Sequence, residues 1–363
     1  MVKHAAIFHF TKRNQLKSVF KNRISGTENF LKGSSFQKMK KIFSFLVVVS
    51  FLLMGAFFIG AEKVSEPNVS NNLSTDHKTT AIQLPDSLSF AGESVPMGDF
   101  EVRQRLDREL LVNTYWQSKT LLIIKEYNQV VPIITPILKK YKVPLDFIYL
   151  AIAESGLQNV VSPSGAEGIW QFLEETAEGY GLEVNNNIDE RYDLEKSTEA
   201  ACKYILEAKK KFGSWTLAAV SFNTGMGNLE SALRNQHQSN YYNLYLNEES
   251  SRYVFRILAL KEIMQHPKAY GYYLNKGDLY DALKFKTVSV DSTIHNLANF
   301  AQQQGTNYKL LKYFNPWMRQ SDLEGLDSKV YFIKICTDSS SDFSSTLFSD
   351  SVEVLQTISV DGQ

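Results

Sequence analysis

Apolar residues recur at helical spacing along the middle of this chain, and no long alternating pattern interrupts them between residues 99 and 265. A period near 3.6 predicts helices with one buried face, whereas strands require a period of two. Helical patterns occur at 198–211, 216–221 and 249–265, and two earlier helices are indicated by Leu106, Leu110, Leu111, Ile133, Ile134, Ile137 and Leu138. The sequence therefore predicts a mainly α core for residues 99–270.

A further apolar stretch runs from Pro144 to Glu154 and is followed at once by Ser155 and Gly156. Proline suits the first turn of a helix and glycine its exit, so Glu154 is expected in the last turn. There the carboxyl faces the negative end of the helix dipole among apolar neighbours, and both influences raise its pKa. A carboxyl that stays protonated in a dry cleft is a typical general acid, although a solvated glutamate at a helix end is the commoner case.

Short segments before and after this glutamate follow one another in a characteristic order. They are Glu154-Ser155, Ser162 to Phe172 (Ser-Pro-Ser-Gly-Ala-Glu-Gly-Ile-Trp-Gln-Phe), Tyr180-Gly181-Leu182, Asp189 to Asp193, Ser197 to Ala201, Phe212 to Trp215, Ser221 to Gly225 (Ser-Phe-Asn-Thr-Gly) and Ser251 to Val254. Together they resemble the lytic transglycosylases with a goose-type lysozyme fold, the SLT family, and specifically the membrane-bound lytic murein transglycosylase D type. The resemblance spans residues 100 to 265 and implies a lysozyme-like helical catalytic domain.

The resemblance implies a reaction that uses one carboxyl. Glu154 would protonate the glycosidic oxygen between N-acetylmuramic acid and N-acetylglucosamine, while the acetamido group of the substrate stabilises the positive charge. The resulting carboxylate would then accept the proton of the muramoyl O6 hydroxyl, which closes a 1,6-anhydro ring without water. Ordinary glycosidases place two carboxylates across the bond. Charged residues in loops and at helix starts are usually solvated. The residues of this kind that could supply a second carboxylate are Glu167, Glu174, Glu175, Asp189, Glu190 and Asp193.

By the same resemblance, several side chains would hold the sugar. Ser162 and Gln171 should hydrogen-bond the glycan near the cleavage point, and Asn223 should lie on the groove wall facing the catalytic carboxyl. Phe222 replaces the tyrosine that is usual in the family, so its ring packing carries over and the role of a hydroxyl does not. Tyr253 matches a late tyrosine of the family and is predicted either to orient the catalytic carboxyl or simply to pack its helix.

The N-terminal region indicates export. Residues 42–61 carry no charge and directly follow a basic stretch, so residues 39–61 are predicted to be a signal peptide or a membrane anchor. Met39 opens a signal-like sequence, which makes residues 1–38 either an extension upstream of the true start or a cytoplasmic basic tail. In both cases the remainder would lie in the cell envelope or periplasm. The Ser-, Asn- and Thr-rich residues 62–98 are predicted to be a linker.

A second, smaller unit is predicted at residues 281–336. Strand, helix, helix and strand patterns occur in that order at 284–290, 293–301, 308–314 and 329–335. This order resembles a LysM module, which binds glycans containing N-acetylglucosamine, although Val-Asp-Ser-Thr replaces the usual Gly-Asp-Thr opening. The unit is therefore either a sugar-binding module or a structural appendage. Residues 337–363 form a Ser- and Asp-rich tail.

Composition excludes other classes of function. The chain has 39 Lys and Arg against 39 Asp and Glu, without a basic stripe on the folded part, so no nucleic-acid role is expected. The six histidines are scattered and no Cys and His cluster has metal-ligand spacing, so neither a metal nor a cofactor is expected. The two cysteines, Cys202 and Cys336, are expected to be thiols rather than a disulfide.

The sequence thus predicts a peptidoglycan lytic transglycosylase whose partners are glycan strands and, if residues 42–61 are not cleaved, a membrane. Two alternatives remain open at this point. One is a hydrolytic muramidase with the same groove. The other is a protein that binds the cell wall without turnover.

Overall fold

The structure, a computed structural model, describes residues 79–324 and 329–337. The predicted N-terminal extension, the signal or anchor segment, most of the linker and nearly all of the tail lie outside the described residues. Within them the chain consists mainly of α-helices, with two small two-stranded sheets. The predicted fold class, mainly α with a small α+β module at the C-terminal end, is confirmed.

The first part of the described chain is called the helical domain below. Its helices are α1 (Phe100–Tyr115), α2 (Gln117–Tyr141), α3 (Phe147–Ser155), α4 (Glu174–Gly179), α5 (Leu194–Phe212), α6 (Trp215–Thr224), α7 (Met226–Asn235) and α8 (Glu248–Gln265). Local sequence sets several of their ends. Asp99 caps α1 by accepting from the Glu101 N–H at 2.8 Å, and left-handed Gly213 ends α5. The helices predicted between residues 99 and 265 are all present.

Helix α3 lies in the middle of the helical domain. Its residues 147–152 are all buried, as is typical of a helix that is apolar on every side. It packs against α2 and α8, while α8 also packs against α1 and α6, and α2 packs against α5. The last turn of α3 therefore emerges among the surrounding helices.

Helix α2 is long and apolar enough to cross a membrane, by length and composition alone, and no other helix in the described residues is. The core helix of a globular protein can be equally long and apolar. Ile134 and Leu138 of α2 are fully buried in the main hydrophobic core, so its position here is that of a core helix. The predicted membrane segment, residues 42–61, lies outside the described residues.

The predicted linker, residues 62–98, differs from the structure at its C-terminal end. Strands β1 (Ser89–Phe90) and β2 (Glu93–Ser94) form a hairpin. Phe90 is fully buried, with its ring centroid 5.1 Å from that of Phe147 in α3. The folded unit therefore begins before α1. The polar composition of residues 62–98 as a whole obscured this, because only a few apolar side chains at its C-terminal end, among them Phe90, Val95 and Met97, are buried in the core.

Glu93 in this hairpin caps the N-terminus of α6. Its carboxylate accepts hydrogen bonds from the backbone N–H groups of Trp215 at 2.6 Å and Thr216 at 2.9 Å, and from the Ser214 hydroxyl at 2.7 Å. Burial opposes ionisation, but the bonds from Thr216, Ser214 and Trp215 outweigh it and lower the pKa of Glu93 to about 2. The hairpin is therefore held on the helical domain by the hydrogen bonds of the Glu93 carboxylate as well as by the packing of Phe90.

We expect Glu93→Ala to lower the free energy of unfolding at pH 7 by roughly 1–3 kcal/mol, because helix N–H groups lose their acceptor. The folded-state pKa lies below the ordinary value of 4.5, so this stabilisation is present above pH 4.5 and is lost as the pH falls towards 2. Urea unfolding at pH 7 and pH 3 measures the difference, with the exposed Glu101→Ala as control. A difference of equal size at both pH values would contradict the assignment.

The C-terminal module has the predicted order of elements. They are β3 (Phe285–Val290), α9 (Leu297–Gln303), α10 (Tyr308–Phe314) and β4 (Tyr331–Cys336), with β3 and β4 antiparallel. The first helix begins later than the predicted residue 293. Ile294 instead pairs with Leu323 across the module, and Asn296 caps α9.

The C-terminal module shares a hydrophobic core with the helical domain. Ile188 and Tyr192, from the loop before α5, are buried in one cluster with Leu297, Met318 and Ile333 of the module. The described residues from Thr80 onwards belong to one compact unit. The module is therefore packed on the helical domain and is not a separate body on a linker.

Candidate active site

Glu154 lies in the last turn of α3, where the sequence predicts it. Gly156 follows in the left-handed conformation, with φ 65°, and its N–H bonds to the Ile152 carbonyl at 2.8 Å. This glycine ends the helix directly after the glutamate. The Glu154 side chain is half-buried, because the core surrounds α3 on every other side.

The hydroxyl of Tyr253 donates a short hydrogen bond to Oε1 of Glu154. Tyr253 belongs to α8 and is 1% exposed. Burial, followed by the nearby Glu154 charge, raises the pKa of its phenol well above the ordinary value, so the phenol remains a donor. Of the two roles predicted for Tyr253, the structure favours orienting the carboxyl.

The pKa of Glu154 is raised to about 7, chiefly by burial. The Tyr253 hydrogen bond and the positive charge of Arg256 lower it, whereas the charge of Glu249 raises it further. This carboxyl therefore titrates near neutral pH, where an ordinary glutamate is fully ionised. Such a group can donate a proton and recover it, as a general acid and base must.

Asn223 lies near the end of α6, with its side chain half-buried. Its Oδ1 accepts a hydrogen bond from the Ser250 hydroxyl at 2.9 Å, and Ser250 stands three residues before Tyr253 in α8. This bond orients the carboxamide so that Oδ1 accepts from Ser250 and the Nδ2 amide group lies on the other side as a donor. Helix α8 thus orients both Asn223 and Glu154, although Ser250 was not singled out from the sequence.

Phe222, predicted to contact the substrate, packs in an aromatic cluster. Its ring centroid lies 5.1 Å from that of Tyr204, 5.5 Å from Phe172 and 6.2 Å from Trp170. Trp170 is fully buried and donates its indole N–H to the Thr198 hydroxyl at 2.9 Å. The structure gives Phe222 a packing role, and a direct contact with the glycan stays a prediction.

Ser162 and Gln171 lie on one loop, residues 160–172, and both use side-chain groups within it. The Ser162 hydroxyl accepts from the Ala166 N–H at 2.9 Å. The Gln171 Nε2 donates to the carbonyls of Val160 at 2.8 Å and Gly168 at 2.7 Å. Because its amide N–H groups are engaged, the Oε1 of Gln171 is the group suited to a ligand, and the contact of both side chains with the glycan stays a prediction.

Ser155 joins this loop to the glutamate, a contact that sequence reasoning missed. Its hydroxyl donates to the Ile169 carbonyl at 2.8 Å and accepts from the Leu157 N–H at 3.1 Å. The residue directly after Glu154 is thus bonded to the loop that carries Ser162 and Gln171. A serine beside a catalytic glutamate is too common a pair to signal this.

The predicted alternatives for a second carboxylate have structural partners or face solvent. Arg191 pairs with Glu167 at 3.2 Å and with Asp189 at 2.7 Å. Glu190 pairs with Lys196, and Asp193 caps α5, whereas Glu174 and Glu175 are exposed at the start of α4. Glu249, which the sequence did not single out, is exposed, and its charge reaches Glu154.

No group of three or more His, Cys, Asp and Glu side chains is arranged to hold a metal ion within residues 79–324 and 329–337. Cys202 is buried in α5, whereas Cys336, at the end of β4, is only partly buried.

Two family models match this chain. Residues 133–245 match the transglycosylase SLT domain, and residues 286–339 match the soluble lytic transglycosylase C-terminal LysM-like domain. Glu154 and Asn223 fall within the first match, and Tyr253 lies just beyond it. The second match corresponds to the module that packs against the helical domain.

Curated relatives include membrane-bound lytic murein transglycosylase D of Escherichia coli strain K12 and the protein of the same name in Escherichia coli O6:H1 strain CFT073. Each is 29% identical over 257 residues, which cover 68% of this chain and 55% of the relative. The chain thus spans little more than half the length of the relatives it matches. Its resemblance to the lytic transglycosylases is confirmed: it carries a transglycosylase SLT domain followed by a LysM-like C-terminal domain.

Proposed function

We propose that this chain is a peptidoglycan lytic transglycosylase with Glu154 as its single general acid and base. The observation that carries the proposal is the pair of Glu154 and Tyr253. A carboxyl with a pKa of about 7 stands at the end of a buried helix, within the SLT domain, and accepts a hydrogen bond from a phenol that stays protonated. The other candidate carboxylates are paired, cap a helix or are exposed to solvent. Glu154 is therefore the group suited to proton transfer.

In the proposed mechanism, neutral Glu154 donates its proton to the glycosidic oxygen between N-acetylmuramic acid and N-acetylglucosamine. The C–O bond breaks, its electrons remain on the leaving oxygen, and the acetamido group of the substrate stabilises the positive charge at the anomeric carbon. Glu154, now a carboxylate held by Tyr253, removes the proton of the muramoyl O6 hydroxyl. O6 then bonds to the anomeric carbon and closes the 1,6-anhydro ring. No water is consumed, and the proton returns to Glu154.

The products distinguish the three candidate functions. Residues 62–363 would be incubated with purified peptidoglycan, and the released muropeptides weighed by mass spectrometry. A lytic transglycosylase yields anhydro products, which are lighter by one water than those of a hydrolytic muramidase. A binding protein without turnover would sediment with the wall and release neither.

We also propose that the protein works in the cell envelope, exported or anchored by residues 42–61. The support is the uncharged apolar run with its basic flank, together with the word membrane-bound in the names of both relatives. Fractionation of cells that express the full chain, with and without residues 42–61, tests this. Retention in the cytoplasm in both cases would overturn it.

The C-terminal module is proposed to add a sugar contact. A cleft of about 370 Å³ lies between α2 and the module, lined by aromatic rings and side-chain amides that include Tyr313, Trp317, Gln129 and Asn159. Aromatic faces suit the apolar faces of sugar rings, and amides suit their hydroxyls. Tyr313 is 56% exposed and its hydroxyl lies 3.4 Å from Oε1 of Gln129.

We expect Tyr313→Ala to weaken binding to insoluble peptidoglycan about tenfold, as the loss of an aromatic contact commonly does. Co-sedimentation at increasing protein concentration measures this. Tyr308→Ala is the matched control, because Tyr308 is 40% exposed on the same helix and does not line the cleft. Equal binding by both variants and the wild type would leave the module with a structural role only.

Phe222→Tyr tests whether the aromatic cluster accepts the hydroxyl that the family usually carries. Because the Phe222 ring is only partly buried, we expect the initial rate of glycan cleavage to stay the same or to rise. Phe172→Tyr is the control and should destabilise the fold, since that ring is 3% exposed and its hydroxyl would be buried. A large loss of rate in Phe222→Tyr, with unchanged circular dichroism, would show that the cluster is packed specifically around phenylalanine.

A further inference from the structure

The loop that carries Ser162 and Gln171 has little regular structure of its own. It is held internally by isolated bridges, between Val161 and Glu167 and between Glu167 and Phe172. Gln171 adopts a φ of 52°, which is uncommon for a residue other than glycine. A loop of this kind needs support from its surroundings to hold two ligand-binding side chains in place.

Arg191 supplies that support. It is 5% exposed, and its guanidinium donates to the Gly165 carbonyl at 3.3 Å and the Phe172 carbonyl at 3.4 Å, and pairs with Glu167 at 3.2 Å. These contacts reach the middle and the end of the loop. Gly168 also lies directly on the Arg191 backbone: a Cβ atom at position 168 would stand 2.1 Å from the Arg191 carbonyl oxygen.

Asp189 holds the guanidinium itself. Its Oδ1 accepts from Nε of Arg191 at 2.9 Å and its Oδ2 accepts from Nη2 at 2.7 Å, a bidentate pair. Such pairs fix orientation as well as charge. A lysine could not reproduce this geometry, because its ammonium is a point charge without the planar fork.

The C-terminal module holds the segment that bears Asp189 and Arg191. The Asp189 N–H donates to the Trp317 carbonyl at 2.9 Å, and the Arg319 N–H donates to the Asn187 carbonyl at 2.8 Å. The Arg319 guanidinium also lies 4.4 Å from the centroid of the Tyr192 ring. The segment 187–192 is therefore bonded to the module on one side and to the glycan-binding loop on the other.

We infer that Arg191 is a positioning residue and that, through it, the C-terminal module sets the shape of the loop 160–172 that binds the glycan. The inference rests on the proposed function, because it concerns the same groove. It assigns the module a part in substrate binding that does not depend on any sugar contact of its own. The contacts of Arg191 do not include Glu154 or Tyr253, and the loop is linked to Glu154 through the bond from the Ser155 hydroxyl to the Ile169 carbonyl, so the effect on proton transfer should be smaller than the effect on binding.

The test uses two variants that reach the loop from different sides, each in the full chain. Arg191→Lys keeps the charge and loses the fork. Arg319→Ala leaves Arg191 and the two backbone bonds in place but removes the guanidinium from the Tyr192 ring. Arg191→Lys should raise KM for glycan strands roughly tenfold and Arg319→Ala should raise it by less, with kcat reduced much less and the pH profile unmoved in both. His295→Ala is the control, because His295 is an exposed residue of the same module that pairs with Glu324 within it and does not line the cleft.

Binding and hydrogen exchange separate this inference from the proposed function. In the Glu154→Gln background, either variant should weaken binding of soluble glycan oligomers and speed amide exchange at Ala166 and Gly168, with α3 unchanged. These readouts need no turnover, so a failure of the anhydro product assay leaves them interpretable. Unchanged affinity and exchange in both variants, or equal effects from His295→Ala, would overturn the inference.

Discussion

Replacing Glu154 by glutamine should abolish glycan cleavage while leaving glycan binding intact. The amide keeps the shape of the carboxyl and can still accept the Tyr253 hydrogen bond. It cannot give up a proton and recover it, so kcat should fall by roughly 10²- to 10⁴-fold, or about 3–5 kcal/mol. Release of muropeptides from purified peptidoglycan, compared with co-sedimentation of the same protein, measures both parts.

The matched control is Asp146→Asn, at the other end of α3. Asp146 accepts from Lys261 at 2.7 Å and from the Ala91 N–H at 2.6 Å, so its loss should cost stability without touching the chemistry. A Glu154→Gln enzyme with full activity would remove Glu154 from the mechanism. Equal losses of rate in both variants would point to a damaged fold instead.

The pH dependence follows from the pKa of about 7, which is raised from 4.5 chiefly by burial. In the proposed mechanism only the protonated carboxyl can begin the reaction, so kcat/KM should fall as the pH rises through 7. The folded state also binds this proton more tightly than the unfolded chain does. Its contribution to stability is therefore complete below pH 4.5 and is lost as the pH rises through 7. Glu154→Gln should lack both dependences.

The helical domain could be predicted because its helices are long and strongly periodic. The place of Glu154 at the end of α3 follows from Pro144 and Gly156, which are local signals. The hairpin around Phe90 could not be predicted in the same way. Its strands have two residues each. Its stability depends on Phe147, more than fifty residues along the chain, and on the start of α6, more than a hundred residues along it.

Contacts between distant segments explain the remaining omissions in the site. The resemblance to a family indicated that Tyr253 could reach Glu154, but no local pattern shows that Ser250 orients Asn223 or that Ser155 bonds to Ile169. Asp189 was expected to be solvated, and no role was predicted for Arg191. They are buried because the C-terminal module closes over the segment that bears them, and no sequence pattern in either part predicts this packing.

Removing the hydroxyl of Tyr253 should change both the rate and its pH dependence. The hydrogen bond from Tyr253 lowers the pKa of Glu154, so Tyr253→Phe should raise that pKa further. A hydrogen bond to a charged group is worth about 1.5–3 kcal/mol, which corresponds to a shift of roughly 1–2 pH units. The alkaline limb of the pH–rate profile should move to higher pH by this amount. Arg256 and Glu249, whose charges act on Glu154 in opposite directions, remain in the variant.

The same bond stabilises the carboxylate that forms when Glu154 gives up its proton, so the rate at the plateau should fall by about 10- to 100-fold. If Tyr253 had only a structural role, its substitution would lower the stability of the fold and leave the alkaline limb at the same pH. Tyr272→Phe provides that comparison, because the Tyr272 hydroxyl is also buried and donates to the Thr114 carbonyl at 2.6 Å, away from Glu154. If Tyr253→Phe and Tyr272→Phe gave the same profile as the wild type, Tyr253 would only pack its helix, and the orientation of Glu154 would depend on α3 alone.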